Sequence, residues 1–263
     1  MIEIDRPRDN PYAIDAERRR GLTQQLLIDH PPQGSEPVVC YRFDGNALEA
    51  DIARSLEREV FEKSFQNDAD MMAEEYASYE SNSVFFLAVD RERQESIGAL
   101  RAIENETNSL GDFKTIADLT EADRERFAPY YGVGDLSKLW DIGTVAVPKD
   151  YRNQAGPVSG ILYYAMYTTA INRGIEHFVS VIYQPVYDKM KKFLGIPFEP
   201  LLDLPPEEYL GAQSQFVYGK ADTFMDSVKR KRRKYIFVRE IREATEPLVG
   251  KKKDALQFPE RLS

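Results

Sequence analysis

The residues best placed for chemistry lie between Trp140 and Gly195. An apolar stretch, LWDIGTVAV (139–147), carries a single acid, Asp141, and stops at Pro148. A polar loop, DYRNQAGP, holds Arg152, Asn153 and Gly156 and runs into a segment of helical spacing that starts near Val158. The first turn of a helix presents backbone N–H groups without intrahelical partners, and the helix dipole adds positive potential there. A phosphate placed at that point gains both. Arg152 adds a planar fork of donors, and Gly156 and Gly160 permit close backbone approach. The same residues also fit a glycine-bearing surface turn. The loop is not a Walker loop, because Gly-Lys-Ser/Thr is absent, and not a dinucleotide fingerprint, because GxGxxG is absent.

A carboxylate at Asp141 can act as a general base, and burial raises a carboxyl pKa toward the range where that works. It can equally cap or orient local backbone. Arg101 suits a carboxylate on an acceptor, an acidic neighbour, or solvent on a strand face. Trp140 points to the opposite face of the strand from Asp141 and is expected in the core. Tyr163, Tyr164, Tyr167, Tyr183 and Tyr187 are packing residues or the lining of a pocket. The chain has two histidines, His30 and His177, and one cysteine, Cys40. These are too few for a zinc site, so no metal is expected. Cys40 has no histidine at a readable spacing, which argues against a covalent thiol mechanism.

One cysteine makes no internal disulfide, which points to a reducing compartment. The opening MIEIDRPRDN has no apolar leader, and no apolar run approaches the roughly 20 residues of a membrane span. The expected location is cytoplasmic. Net charge is −9 over 263 residues. From Gly211 onward there are 13 Lys and Arg against 7 Asp and Glu, a net of +6, so the first 210 residues carry −15. That surface repels nucleic acid. The run KRKRRK, Lys229 to Lys234, is a solvated charge run or a dock for an acidic partner such as a carrier protein; it lacks the aromatic residues of a single-strand binder.

Positioning elements follow from pattern. AERRRGLTQQLLIDH predicts a short helix stopped by Pro31 and Pro32. PVVCYRF predicts the first strand. Leu48, Ile52, Leu56 and Val60 mark one face of a helix, and Asp68 to Glu80 a second helix. SVFFLAVD (83–90) and IGALRAI (97–103), joined by a charged turn, predict an antiparallel hairpin. Residues 104–137 form an insertion in which Thr120 caps a helix. The strand 139–147 leads to a helix from Val158 to Arg173 with Gly174 as C-cap, then a strand His177 to Tyr183 and a helix Val186 to Ile196 begun at Pro185. QSQFVYG predicts a further strand, ADTFMDSVKRKRR a short helix, and YIFVREI a strand. The fold class is α/β (α+β mixed), with a mixed sheet. The expected division is an N-terminal extension (1–36), a catalytic-type domain (37–220) and a basic C-terminal extension (221–263).

The stretch DIGTVAVPKDYRNQAGPVSG resembles the central motif of the GNAT superfamily of acyl-coenzyme A-dependent N-acyltransferases. The hairpin with Gly98 and Arg101, and DIGTVAV with Asp141 at the acidic position, resemble the subgroup of acyl-homoserine-lactone synthases and N-acyl amino acid synthases. In that subgroup arginine stands where this chain has Thr144, and an acidic cluster is loosely echoed by Glu74, Glu75 and Glu80. The resemblance implies a mainly antiparallel sheet flanked by helices. It implies an acyl group moved from acyl-CoA or acyl carrier protein to a small amine such as an amino acid. The strand of Val145, Ala146 and Val147 then splays from its neighbour and pairs with the pantetheine arm; the strand holding Ala99 is the expected neighbour. Arg152, Asn153, Gly156, Ser159 and Gly160 then hold the pyrophosphate, and Asp141 acts as base. Arg101 and Tyr187 contact substrate; Tyr187 lies one turn before Lys191, the family's usual tyrosine position. The alternative is a non-catalytic GNAT-fold binding protein.

Overall fold

A computed structural model describes residues 10–152, 158–194 and 197–224. Eight strands form one sheet: β1 (Val38–Asp44), β2 (Ser83–Asp90), β3 (Glu95–Ile103), β4 (Leu139–Ala146), β5 (His177–Tyr183), β6 (Glu199–Pro200), β7 (Glu207–Tyr209) and β8 (Ala212–Lys220). The spatial order is β1-β2-β3-β4-β5-β8-β6, and β7 also pairs with β8. Every neighbouring pair is antiparallel except β4 with β5. This is the mixed, mainly antiparallel sheet flanked by helices expected above.

Among the described residues seven α-helices cover it: α1 (Ala16–Asp29), α2 (Ala50–Phe65), α3 (Ala69–Tyr76), α4 (Lys114–Ala117), α5 (Glu121–Tyr131), α6 (Val158–Asn172) and α7 (Gln184–Lys189). Local chemistry sets several ends. Asp15, Asp68 and Thr120 accept backbone N–H bonds as N-caps of α1, α3 and α5. Gly174 takes φ +75° after α6, where Ile175 N–H returns to the Ala170 carbonyl. Pro185 sits in the first turn of α7, but that helix is shorter than expected and passes into a π-turn, Met190–Leu194. β6 and β7 have no counterpart among the expected strands. Of the helix expected from Ala221, residues 221–224 are helical; the rest of it and the strand YIFVREI fall outside the described residues.

The two sheet faces are buried differently. On one, α6 supplies Leu162, Ala165, Met166 and Ala170 against Phe86, Leu100, Trp140, Ile142 and Phe178. On the other, α2 packs Ile52, Ala53 and Leu56 onto Phe43, Phe85, Leu87 and Ala99. The insertion packs Phe113, Ile116 and Phe127 onto Leu139, Val179 and Phe216 on that same side. Trp140 is buried on the α6 side, as its alternation with Asp141 predicts. Both expected extensions contribute to the core: Tyr12 and Leu26 are buried at one end, Ala221 and Phe224 at the other.

Gly98 explains how α6 lies so close to β3. A Cβ there would stand 2.6 Å from Val158 Cγ1 and 3.0 Å from Leu162 Cδ1. Overpacking of this kind costs about 1–3 kcal/mol, so Gly98→Ala is expected to lose about that much in a urea melt.

Candidate active site

β4 is the strand on which the site is built. On one side it pairs with β3 from Ala99↔Ala146 to Ile103↔Asp141. On the other it pairs with β5 only through Leu139↔His177, Trp140↔Phe178 and Asp141↔Val179. β5 continues against β8 as far as Tyr183↔Ser214. β4 thus follows β3 while β5 follows β8, and the sheet opens between them. At the fork Ser180 Oγ donates to the Ile142 carbonyl at 2.8 Å. Beyond it Gly143, Val145, Val181 and Ile182 are only half-buried and Tyr183 is exposed. The opening therefore lies on the β5 side. The expected separation from the strand of Ala99 does not occur, because the antiparallel ladder from Ala99↔Ala146 to Ile103↔Asp141 keeps β3 and β4 together.

The ladder between β3 and β4 contains a bulge. Arg101 pairs with Thr144 and Ala102 with Ile142, leaving Gly143 without a partner on β3. A Cβ on Gly143 would stand 3.3 Å from Ile103 Cδ1 and 3.4 Å from Arg101 Cδ, so the bulge is closely packed. The extra residue turns Thr144 away from the α6 face of Trp140 and Ile142 and onto the α2 face, where its Oγ1 donates to Glu57.

Glu57 belongs to a buried ionic cluster. Each of the five N–H groups of Arg101 has an acceptor. Nε reaches Glu57 Oε1 at 3.4 Å; Nη1 reaches Glu80 Oε1 at 3.1 Å and Ser83 Oγ at 3.4 Å; Nη2 reaches Glu57 Oε2 at 2.8 Å and the Tyr12 hydroxyl. The guanidinium also lies 4.0 Å from the Tyr76 ring centroid and 4.6 Å from that of Phe85. Burial alone would weaken the Arg101 charge, but Glu57, Tyr12 and Glu80 outweigh it and hold its pKa well above the usual value. Burial would likewise raise Glu80; Arg101 and Arg54 outweigh it and hold that carboxyl below the ordinary glutamate range. Tyr12 is held protonated, chiefly by burial. Arg101 is fully buried and its donors are all engaged. Glu57 escapes a sequence reading because it sits in the apolar stripe of α2. The signal for it is a glutamate four residues after Ala53 and three before Val60, on the face that packs the sheet.

Asp141 stands at the last paired position before the fork. It is fully buried, and its carboxylate accepts from Thr115 N–H at 2.6 Å and Thr115 Oγ1 at 2.7 Å. It thereby caps the first turn of α4 from a strand 26 residues away. Burial pushes its pKa up to about 7, against the pull of the Thr115 bonds and Lys114. Lys114 itself bonds Asp118 and the Tyr209 hydroxyl and pairs with Glu75.

At the other end of β4, Val145 is half-buried against the α6 core, and Ala146 and Val147 are buried. Val147 and Val158 meet over Gly98, so the end of β4 and the start of α6 lie together. Ser159 and Gly160 are half-buried in the first turn of α6. Arg152 is exposed and its Nε donates to the Val147 carbonyl at 2.8 Å. Asn153 and Gly156 lie outside the described residues, as does Lys229–Lys234. Tyr187 is buried in α7, its hydroxyl donating to the Phe198 carbonyl at 3.3 Å. Burial pushes the Cys40 thiol up to about 12, so no thiolate forms near neutrality. His177 bonds the Tyr218 hydroxyl at 2.7 Å and is held below its usual pKa by burial. Among the described residues no group of three or more His, Cys, Asp or Glu could hold a metal ion, and no helix is long and apolar enough to cross a membrane.

No family model matches the chain, and no curated protein matches it. Solved structures do. FeeM, an N-acyl amino acid synthase from uncultured soil microbes, superposes with a TM-score of 0.55 at 16% identity, over 74% of this chain and 97% of that one. The CoA-dependent acyl-homoserine lactone synthase BjaI, solved with SAM and isopentyl-CoA, gives a TM-score of 0.47 at 15% identity over 75% and 89%. The acyl-homoserine lactone synthase LasI gives 0.45 at 14% over 72% and 91%. The fold is GNAT-like and similar to that of FeeM.

The geometry of Asp141 sets a pH dependence. An unfolded aspartate titrates near ~3.9, whereas the folded carboxyl titrates at about 7. The folded state therefore holds the proton more tightly. The Asp141 contribution is most favourable below the unfolded value and is lost as pH rises from roughly 4 to about 7. Asp141→Asn can still accept the Thr115 N–H bond. Urea midpoints of both proteins from pH 4 to 8 should show the wild type losing stability relative to the variant across that window; a gain would mean that the ionised carboxylate is the favoured form.

Proposed function

We propose that this protein transfers an acyl group from a thioester to a small amine such as an amino acid. The observation that supports this reading most directly is the three-residue pairing of β4 with β5, after which the two strands part. A thin pantetheine arm fits such a gap by bonding along the free edge of β4, and a backbone N–H in the Val145–Val147 stretch suits the oxyanion that develops on the thioester carbonyl. The start of α6, with Ser159 and Gly160, lies at the end of that strand together with Arg152, where a pyrophosphate gains helix N–H groups and a guanidinium. Asn153 and Gly156 complete that loop in the sequence.

Asp141 is the proposed proton acceptor. It precedes the gap by one residue, and burial places its pKa near neutrality, where a base still exists as carboxylate and holds a proton usefully. The amine nitrogen attacks the thioester carbon, the C–S bond breaks, the proton leaves the nitrogen for the carboxylate, and the thiolate departs with a proton from solvent. The test is release of free thiol from acyl-CoA and acyl-carrier donors, with and without amines. The wild type should release thiol in an amine-dependent way, with a rate that rises as pH passes about 7. Asp141→Asn should lower turnover by about 10²–10⁴ and lose that inflection. Thioester binding without thiol release would instead mark a binding protein on this fold.

The donor is acyl-CoA or an acyl carrier protein. The run Lys229–Lys234 supports a carrier, since carriers are recognised through acidic surfaces. Replacing its six basic residues with neutral ones should weaken carrier binding at low salt and leave the affinity at high salt little changed. Equal affinities at low salt would remove the dock.

A further inference from the structure

Past the fork, the α2 face of the sheet is bordered by a row of aromatic rings. Strand alternation puts Tyr183 on the same face as Val179 and Val181, which pack with the insertion. The Tyr183 ring meets that of Phe65 edge-on, with centroids 5.9 Å apart. Phe65 ends α2, and its ring lies 5.6 Å from that of Phe61, one turn earlier. Phe61 packs in turn against the cluster of Tyr12, Met72, Tyr76 and Ile103. The Tyr76 hydroxyl donates to the Gly143 carbonyl at 3.4 Å. An apolar arc thus runs from the unpaired residue of β4 to the free end of β5. Helix α2 carries it across: Glu57 meets β4 at Thr144, and about two turns later Phe65 meets β5. The arc reaches solvent, since Tyr183 is 42% exposed and Phe61, Phe65, Gly143 and Val181 are half-buried. The charges beside it are engaged. Glu62 and Lys63 pair with Arg58 and Glu59, and Arg101, against Tyr76, directs its donors to Glu57, Glu80, Ser83 and Tyr12.

We infer that this arc holds an apolar side chain of the acceptor amine, with Phe65 and Tyr183 as its specificity-determining contacts. This rests on the acyl-transfer reading and names the acceptor class. The donor lies along the free edge of β4 in that reading, with its phosphates toward the start of α6. Asp141 leaves β4 on the face that carries α4 and α2, where it meets Thr115. An amine that passes its proton that way approaches from this face, and the arc borders the approach. Rings of phenylalanine and tyrosine reward apolar surface withdrawn from water. A carboxylate side chain laid against them loses hydration and finds no free cation among the residues of the arc, so an acceptor such as leucine is favoured over one such as glutamate.

The experiment is steady-state thiol release with leucine and glutamate as acceptors and with acyl donors of short and long chain, each varied separately. The wild type should use leucine with the higher kcat/KM. Phe65→Ala and Tyr183→Ala should each raise KM for leucine about tenfold, the scale of an apolar contact in a specificity pocket, and leave KM for glutamate and for the donors unchanged. Phe65→Leu and Tyr183→Phe keep apolar surface in place and should stay close to the wild-type leucine KM. Circular dichroism confirms that each variant is folded, and Tyr183, at the exposed end of the arc, carries the test if the Phe65 variants are not. Thiol release by the wild type with glutamate preferred, or with an unchanged leucine KM in both alanine variants, overturns the assignment alone. So does a shift in preferred acyl-chain length without a change in leucine KM, which would make the arc a site for the donor chain. Absence of thiol release by the wild type with every donor and amine overturns the acyl-transfer reading, and the assignment with it.

Discussion

Everything at the site depends on β4 being held firmly on one edge and released on the other. A parallel pair of three residues supplies few ladder bonds, so β5 does little to position this strand. Its place is fixed by the ladder with β3 and by two side chains that leave the sheet on the same face. Asp141 reaches Thr115 at the start of α4, and Thr144 reaches Glu57 in α2. The strand is thus tied to two different helices on that face, one on each side of Gly143. The free edge on which the proposed acyl transfer rests begins between these ties.

The cluster around Arg101 is what makes the second tie rigid. Taking charges out of water costs several kcal/mol per ion, and the return depends on geometry and on satisfying the remaining donors. Arg101 meets that condition with five acceptors, while Arg54 bonds Glu80, Asp51 and the Gly45 carbonyl. Such a network is weak evidence of net stabilisation, but removing one partner leaves an uncompensated buried charge at a cost of about 3–5 kcal/mol. Glu57 bonds both Arg101 and Thr144, so it cannot drift from one without disturbing the other.

Much of the fold was readable from local pattern. The hairpin of β2 and β3, the length of α6, the cap at Thr120 and the stop at Gly174 all follow from residues within a few positions of one another. What escaped reading was non-local. The side on which β4 opens is decided by pairing partners distant in the chain. The anchor of Asp141 is a threonine in an insertion that has no strong pattern of its own. Glu57 hid inside an apolar stripe, and Thr144 stood out only as a departure from a resemblance. The π-turn after α7 and the short strands β6 and β7 carry no periodic signal at all, since two or three residues are too few to show one.

The bond between Tyr12 and Arg101 spans 89 residues of chain. A ribosome makes Tyr12 long before the arginine and the Glu80 carboxylate that complete its pocket exist. Until then the phenol has nowhere to bury, and the strap of Asn10 to Ile14 has only α2 and α3 to grip, through Arg58, Ser55 and the Ala69 carbonyl. Closing so long a loop comes late in any assembly order, because its entropy is lost before the contact returns anything. The residues from Asn10 to Ile14 are in this way among the last of the described residues to settle, and the nascent chain carries an unoccupied guanidinium pocket until they do.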